Sequence, residues 1–385
     1  MTERLYYHDS YLTEFRARIV DASPDRQKIY LDRTAFYPVS GGQPFDTGQL
    51  GGVRVTEVVD EEERIAHILS GPVTGEEIAG AIDWRRRFDH MQQHTGQHLL
   101  SAVLIELFNA PTVSFHLGAD ASTIDIERPL EPNQIRQAER RANEIVFENR
   151  PVRVSFENSS QDLGLRKPTE REGTVRIVSI QDLDRSACGG THVRGTAEIG
   201  AILIRKLDRI RGNQRLEFVC GMRAVERAQA DYGALSAIAR AFSSALDETP
   251  AVVAAHQEKL QESEKARRRL GNELALAKGR ELHAATAPGA DGLRKIQRRV
   301  GNISEELRAE AQSFTAGGQA VFLALAEDPP SVLLAASKDS GINAGEVLKA
   351  ALADVGGRGG GNATIAQGSL DKESLQRFLA HPLFG

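Results

Sequence analysis

The chain has 385 residues, 41% of them hydrophobic and 26% charged, with a net charge of −5. That balance excludes disordered and fibrous classes and predicts two or three globular domains. The pI of about 6.1 gives no overall basic footprint for nucleic acid, and no apolar run is long enough to span a membrane. Arg85-Arg86-Arg87, Arg267-Arg268-Arg269 and Arg298-Arg299 either track phosphates locally or form solvated helix faces. The start, Met1 to Tyr7, has no apolar signal core, so export is not expected. Cys188 and Cys220 are the two cysteines, which argues against a disulfide framework and for a reducing cytoplasm.

In chain order, residues 1–84 read as short strands and turns, a small Gly-rich β-barrel or half-barrel. Strands are expected at Phe15–Val20, Lys28–Asp32, Val53–Val59 and Arg64–Leu69, with a Gly/Pro loop from Tyr37 to Pro44. Residues 85–225 read as a mixed α/β domain. A helix starts near Arg86 and stops before Pro111, followed by strands at 112–117 and 122–126. Pro132 opens a second helix, to about Asn149, with Ile135, Ala138, Ala142, Ile145 and Val146 as its apolar stripe. Strands at 151–156 and 175–180 come next, and a closing pair at 201–207 and 215–220 flanks a turn at Arg211-Gly212-Asn213.

From 226 to 315 the composition predicts a helical hairpin arm. Leu260, Leu270 and Leu274 mark its first helix, and Leu293, Ile296, Val300, Ile303 and Leu307 step by three and four as its second. A pair of helices packed on a core is the other reading. Residues 316–385 form a small C-terminal α/β module, with a Gly-rich run from Gly356 to Gly361 that is either a linker or a phosphate-facing loop, Arg358 serving as ion partner. The fold class is therefore α+β.

Chemistry concentrates in two segments. His94-Thr95-Gly96-Gln97-His98 falls on the first helix, where four residues make about one turn, so both imidazoles share a face, with His90 one turn earlier. Cys188-Gly189-Gly190-Thr191-His192 falls in a loop after a strand. Three imidazoles and a thiolate suit one zinc ion. The segments lack the glutamate of a His-Glu-x-x-His peptidase, and four protein ligands would close the shell. The ion then either positions a substrate or, if one ligand lets go, activates water. Gly41-Gly42-Gln43 fits neither a P-loop nor a dinucleotide fingerprint; it is a plain turn or a close approach of backbone to ligand.

The stretch Leu31–Gly48, containing Thr34 and Ser40-Gly41-Gly42-Gln43-Pro44, resembles the Gly-rich motif of alanyl-tRNA editing domains. The two His/Cys segments resemble their paired zinc motifs in spacing and order. The arm and the Gly-rich end resemble the C-terminal domain of alanyl-tRNA synthetases. The similarity covers nearly the whole chain and points to the long form of the free-standing AlaX editing proteins. The synthetase's aminoacylation domain with its ATP site is missing, so the implied activity is ATP-independent.

That resemblance implies ester hydrolysis of Ser-tRNA(Ala), and of Gly-tRNA(Ala), in the cytoplasm. A synthetic pocket for alanine cannot reject glycine or serine strongly, and a second hydrolytic site supplies the missing discrimination. It also implies that His94, His98, Cys188 and His192 bind zinc, that Thr34 reads the serine hydroxyl, and that Gln43 holds the ester or water. His90 and His116 become water-orienting candidates. Arg358, Gly359 and Gly360 become tRNA contacts, and the C-terminal module a homodimer contact. Where such proteins often read Gly-Gly-Gly-Gln, this chain has Ser40 in the first position. The alternatives are a non-catalytic zinc-containing tRNA-binding protein and an editor of another aminoacyl-tRNA.

Overall fold

The computed structural model describes residues 1–170, 172–210 and 212–379. The chain divides into two compact units, Met1–Ala237 and the residues from Ile238 onward. Among the described residues there are seven α-helices and several sheets, the expected α+β class, and no helix is long and apolar enough to cross a membrane.

The first unit opens with β1 (Glu3–Arg4), β2 (Glu14–Ala22), β3 (Lys28–Leu31), β4 (Arg33–Thr34), β5 (Gly48–Leu50), β6 (Val53–Glu61), β7 (Arg64–Leu69) and β8 (Glu77–Ile82). Six of them hydrogen-bond in a closed ring, β2-β3-β7-β6-β5-β8, around a core that includes Ile29, Leu31, Phe36, Leu50, Val55 and Ile65. Sequence periodicity misses β5 and β8. In β8 the inward positions are Ile78, Gly80 and Ile82, so only two large apolar side chains mark the buried face.

Next come α1 (Trp84–Phe108), β9 (Thr112–Leu117), β10 (Ser122–Ile126), α2 (Pro132–Glu148), β11 (Val152–Asn158), β12 (Thr174–Ile180), β13 (Asp184–Ala187), β14 (Ile202–Ile210) and β15 (Asn213–Cys220). The Asp83 side chain caps α1 by accepting from Arg86 N–H, and Asn109 ends it in a left-handed conformation just before Pro111. A capping box between Glu131 and Gln134, with Pro132 at the first helical position, starts α2. Strands β14-β15-β10-β9 form one sheet and β11-β12-β13 another. Leu99, Leu100, Val103 and Leu104 of α1 share a core with Ile135, Ala138 and Ala142 of α2 and with Ile124, Leu216 and Phe218 of the larger sheet. Arg211, in the turn expected between β14 and β15, lies outside the described residues. Helix α3 (Met222–Ala241) spans the boundary between the units.

The second unit holds α4 (Thr249–Ala285), β16 (Arg294–Val300), α5 (Glu305–Ala316), β17 (Ala320–Glu327), β18 (Pro330–Ala336), α6 (Ala344–Val355), β19 (Arg358–Gly361), β20 (Ile365–Ser369) and α7 (Lys372–Leu379). Its sheet runs β16-β17-β18-β20-β19. Two expectations fail here. The second helix of the hairpin is instead β16, parallel to β17, followed by α5. Ile296 and Val300 are four apart, a spacing that shares a face in a helix and equally in a strand, and in β16 they pack on the core of α5 and β17. In the Gly-rich run Gly356 caps α6 and Arg358–Gly361 form the edge strand β19, paired with β20, in place of a linker or a loop. Leu260, Leu270 and Leu274 lie on α4, as expected for its helix, but stay exposed.

Candidate metal centre

The first wall of the site is a tight turn. Ser40 and Gln43 exchange backbone hydrogen bonds, Ser40 N–H to Gln43 O at 3.2 Å and Gln43 N–H to Ser40 O at 2.9 Å. Gly41 and Gly42 between them have φ of +52° and +81°, the left-handed pair that a side chain at either position would strain. A Cβ on Gly42 would also meet the Phe115 ring at 2.8 Å. Ser40 sits outside the left-handed pair, so the turn needs no glycine there.

Helix α1 supplies His94 and His98, and the loop after β13 supplies Cys188 and His192. One ligand atom from each of the four lies within 4.8 Å of all the others. The Cys188 Sγ is 3.5 Å from His94 Nε2 and 3.2 Å from His192 Nε2. A zinc tetrahedron with ordinary bond lengths has S···N edges of about 3.6 Å. Arg176 of β12 fixes the loop, its guanidinium donating to the Cys188 carbonyl at 2.6 Å while its own carbonyl accepts from Cys188 N–H at 3.1 Å. Gly190 N–H donates to the Cys188 Sγ at 3.3 Å.

Each imidazole is held from behind through Nδ1. His94 Nδ1 meets Gln43 Oε1 at 2.8 Å, His98 Nδ1 meets Asp184 Oδ2 at 3.0 Å, and His192 Nδ1 meets Thr95 Oγ1 at 3.1 Å. Gln43 Oε1 also accepts from Thr191 N–H at 3.1 Å, and Gln43 Nε2 donates to Thr191 Oγ1 at 2.8 Å. The amide orientation is thereby fixed. Nδ1 of His94 must carry the proton, and Nε2 offers a lone pair. The Asp184 carboxylate sets the same tautomer on His98 and is itself bound by Arg166 Nε at 2.6 Å. Such outer hydrogen bonds orient metal ligands and raise their basicity. The donor set, the two S···N edges and the tautomers of His94 and His98 fit one tetrahedral ion.

The electrostatics favour the Cys188 thiolate and a neutral His192, whereas a metal ion would have to displace a proton from His98. Burial disfavours the Cys188 thiolate, but the neighbouring His94 and His192 outweigh it and hold the thiol well below its usual range. Burial pushes His192 down to about 3. At His98 burial is overcome by the hydrogen bond to Asp184, and its pKa rises to about 9.

A cavity of about 520 Å³ opens over the cluster, lined by His94, His98, Cys188, Tyr7, Tyr37, Gln97, Thr112, Ser114, Phe115, Arg166 and Lys167 among others. Among the described residues no carboxylate lines it. It therefore offers hydroxyls, an amide and cations, and no acidic general base.

The other expected site residues are placed as follows. Gln43 is buried behind His94 and is spent on His94 and Thr191. Thr34 is fully buried, bonded to His67 Nε2 at 2.8 Å and to Phe36 N–H at 3.1 Å, and does not line the cavity. His116 is exposed on β9 and also does not line it. His90 lines a different cavity, one turn back along α1. Arg358, Gly359 and Gly360 lie exposed on β19, in the second unit. Sequence reasoning missed Asp184, Thr95 and Thr191. Thr95 and Thr191 each sit within one of the quoted segments, while Asp184 precedes Cys188 by four residues and has no local signal.

The family described as "Threonyl and Alanyl tRNA synthetase second additional domain" matches residues 175–217, and the "DHHA1 domain" matches residues 297–381. "Alanyl-tRNA editing protein AlaX-L" of Pyrococcus horikoshii is 32% identical over 403 aligned positions, covering 98% of this chain and 97% of that protein. The chain belongs to the AlaX family of alanyl-tRNA editing proteins. "Alanine--tRNA ligase" of Methanoregula boonei is 33% identical over 95% of this chain, and that of Pyrococcus abyssi 31% over 96%, but the alignments span only 41% and 42% of those ligases. In this AlaX member the 175–217 match contains Asp184, Cys188 and His192, so the loop half of the cluster lies inside it. The helix half lies outside that match.

Proposed function

We propose that this AlaX protein is an aminoacyl-tRNA deacylase that hydrolyses the ester of serine mischarged on tRNA(Ala), and of glycine on the same tRNA, at a site holding one zinc ion. The observation that carries the reading is the convergence of three imidazoles, two of them held in the metal-binding tautomer, and a thiolate under an open cavity, in a chain similar to AlaX-L along its whole length. His94, His98, Cys188 and His192 would hold the ion, which when bound supplies a Lewis-acid anchor for the charged 3′ end. Gln43, Asp184 and Thr95 keep the imidazoles aimed. The exposed Lys167 gives the mouth a positive charge that suits an RNA backbone, while the charge of Arg166 is met by Asp184.

Gln43 serves here as a positioning residue rather than as a clamp on the ester. Thr34 reaches a serine hydroxyl only if its bond to His67 opens, so Thr112, Ser114 and Gln97, which already face the cavity, are better placed for that contact. His116 would act from the exposed side of β9 and His90 from its own cavity. In the second unit, the exposed edge strand β19 presents Arg358, Gly359 and Gly360 with backbone groups free on one side, which suits tRNA contact or sheet pairing in a homodimer. The reading places the protein in the cytoplasm, with residues 1–84 and 85–225 forming the editing half.

Four protein ligands are also what a purely structural zinc has, and that favours a non-catalytic tRNA-binding protein as the second reading. A deacylation assay on tRNA(Ala) charged with serine, glycine or alanine separates the two. Release of serine with alanine spared supports the enzyme, and no release of serine or glycine overturns it.

A further inference from the structure

The turn Ser40–Gln43 and the Pro44 that follows stand between two cavities. Ser40 and Gly41 line the one over the His/Cys cluster, and Pro44 lines a second, of about 710 Å³. The second has an aromatic wall, Trp84 and Phe88, with ring centroids 5.2 Å apart. Its lining includes His90, only 3% exposed, whose Nδ1 is buried without a hydrogen-bond partner. Arg85 stands at the rim with its side chain 92% exposed and only a loose contact, 3.8 Å, to Glu226. By contrast, Arg223 is neutralised by a two-pronged bond to Asp89.

We propose that this cavity takes a nucleobase from the single-stranded 3′ end of the RNA whose aminoacylated terminal nucleotide lies in the His/Cys cavity. An aromatic wall beside a polar ring fits a base, because every base has a π-face for stacking and an edge for hydrogen bonding. An exposed guanidinium beside the wall, held only by the 3.8 Å contact of Arg85 with Glu226, fits the adjoining phosphate. Phe88 and His94 are six residues apart on one helix, about 9 Å along its axis and about 120° around it, a separation that a short single-stranded segment can span. The inference rests on the deacylase reading and adds a site to it.

Trp84 is the chain's single tryptophan, so its fluorescence reports this cavity alone. Titration of the full chain with the uncharged RNA trinucleotide CCA should quench Trp84 saturably. Trp84→Ala should raise KM for Ser-tRNA(Ala) about tenfold with kcat unchanged. Hydrolysis of seryl-adenosine, a substrate too short to reach the cavity, should be unaffected and shows that the variant is folded. Serine release from tRNA with no quenching and an unchanged KM overturns the inference while leaving the deacylase reading intact. Quenching by CCA in a protein that releases no serine supports the base site and sinks the deacylase reading.

Discussion

His94 donates from Nδ1 to the Oε1 of Gln43 across 2.8 Å, tying the helix that carries two ligands to the turn beside the six-stranded ring. The bond links residues 51 positions apart in sequence. It makes the Gly-rich turn part of the metal centre rather than only the opposite side of a pocket.

Replacing Gln43 should therefore act on the metal before it acts on substrate. Gln43→Ala is expected to weaken zinc binding 10–100-fold, the usual range for an outer-shell partner. Gln43→Glu still accepts from Nδ1 and should lose less. Competition against a chromogenic chelator measures both, and an unchanged affinity in Gln43→Ala would remove Gln43 from this role.

Gly190 has no room for a side chain. A Cβ there would run into the imidazole of His94 and stand 3.0 Å from Gln43 Oε1. Gly190→Ala should displace His94 and abolish stoichiometric zinc binding, while far-UV circular dichroism stays that of the wild type. Full zinc content in a folded variant would show that the loop can retreat.

Arg87 and Asp46 form an ion pair with both side chains fully buried, and Arg87 also donates to the carbonyls of Ser10 and Ala35. Arg87→Met leaves the Asp46 carboxylate buried without its cation. The expected loss is about 3–5 kcal/mol, and a smaller one when both charges are replaced together, where only the backbone groups bonded by the pair are left unpaired. Urea unfolding of Arg87→Met and of the double variant Arg87→Met/Asp46→Leu tests this, and equal losses in the two would contradict it.

Burial holds His67 and His90 near a pKa of about 4, where an unfolded histidine titrates near 6.5. Between those values the unfolded chain binds protons that the folded chain does not. Stability from these groups is therefore full above about pH 6.5 and falls as pH drops towards 4, by up to about 1.4 kcal/mol per pH unit for each. His67→Phe should flatten the slope of unfolding free energy against pH in that window by up to this amount. A slope that stays the same would mean that His67 is charged in the fold.

The ligand set was legible because helical geometry makes a spacing of four meaningful within α1, and because a cysteine and histidine among glycines have few other uses. The outer partners were not. Asp184 meets His98 across 86 positions, and no local pattern encodes a contact that only the meeting of β13 with α1 creates. Thr34 lies within a recognisable motif, yet its bond to His67 depends on β7 closing against β3. Residues 293–300 misled for a different reason, since Ile296 and Val300 satisfy helix and strand alike. In β19, three glycines carry no side-chain pattern at all, and only pairing with β20 defines the strand.

The most direct test of a zinc-held deacylase is serine release from Ser-tRNA(Ala), followed in parallel with zinc content, for the wild type and Cys188→Ala. The account expects one zinc per chain and rapid release in the wild type, with both lost together in the variant. Release that persists in a zinc-free Cys188→Ala protein would contradict it.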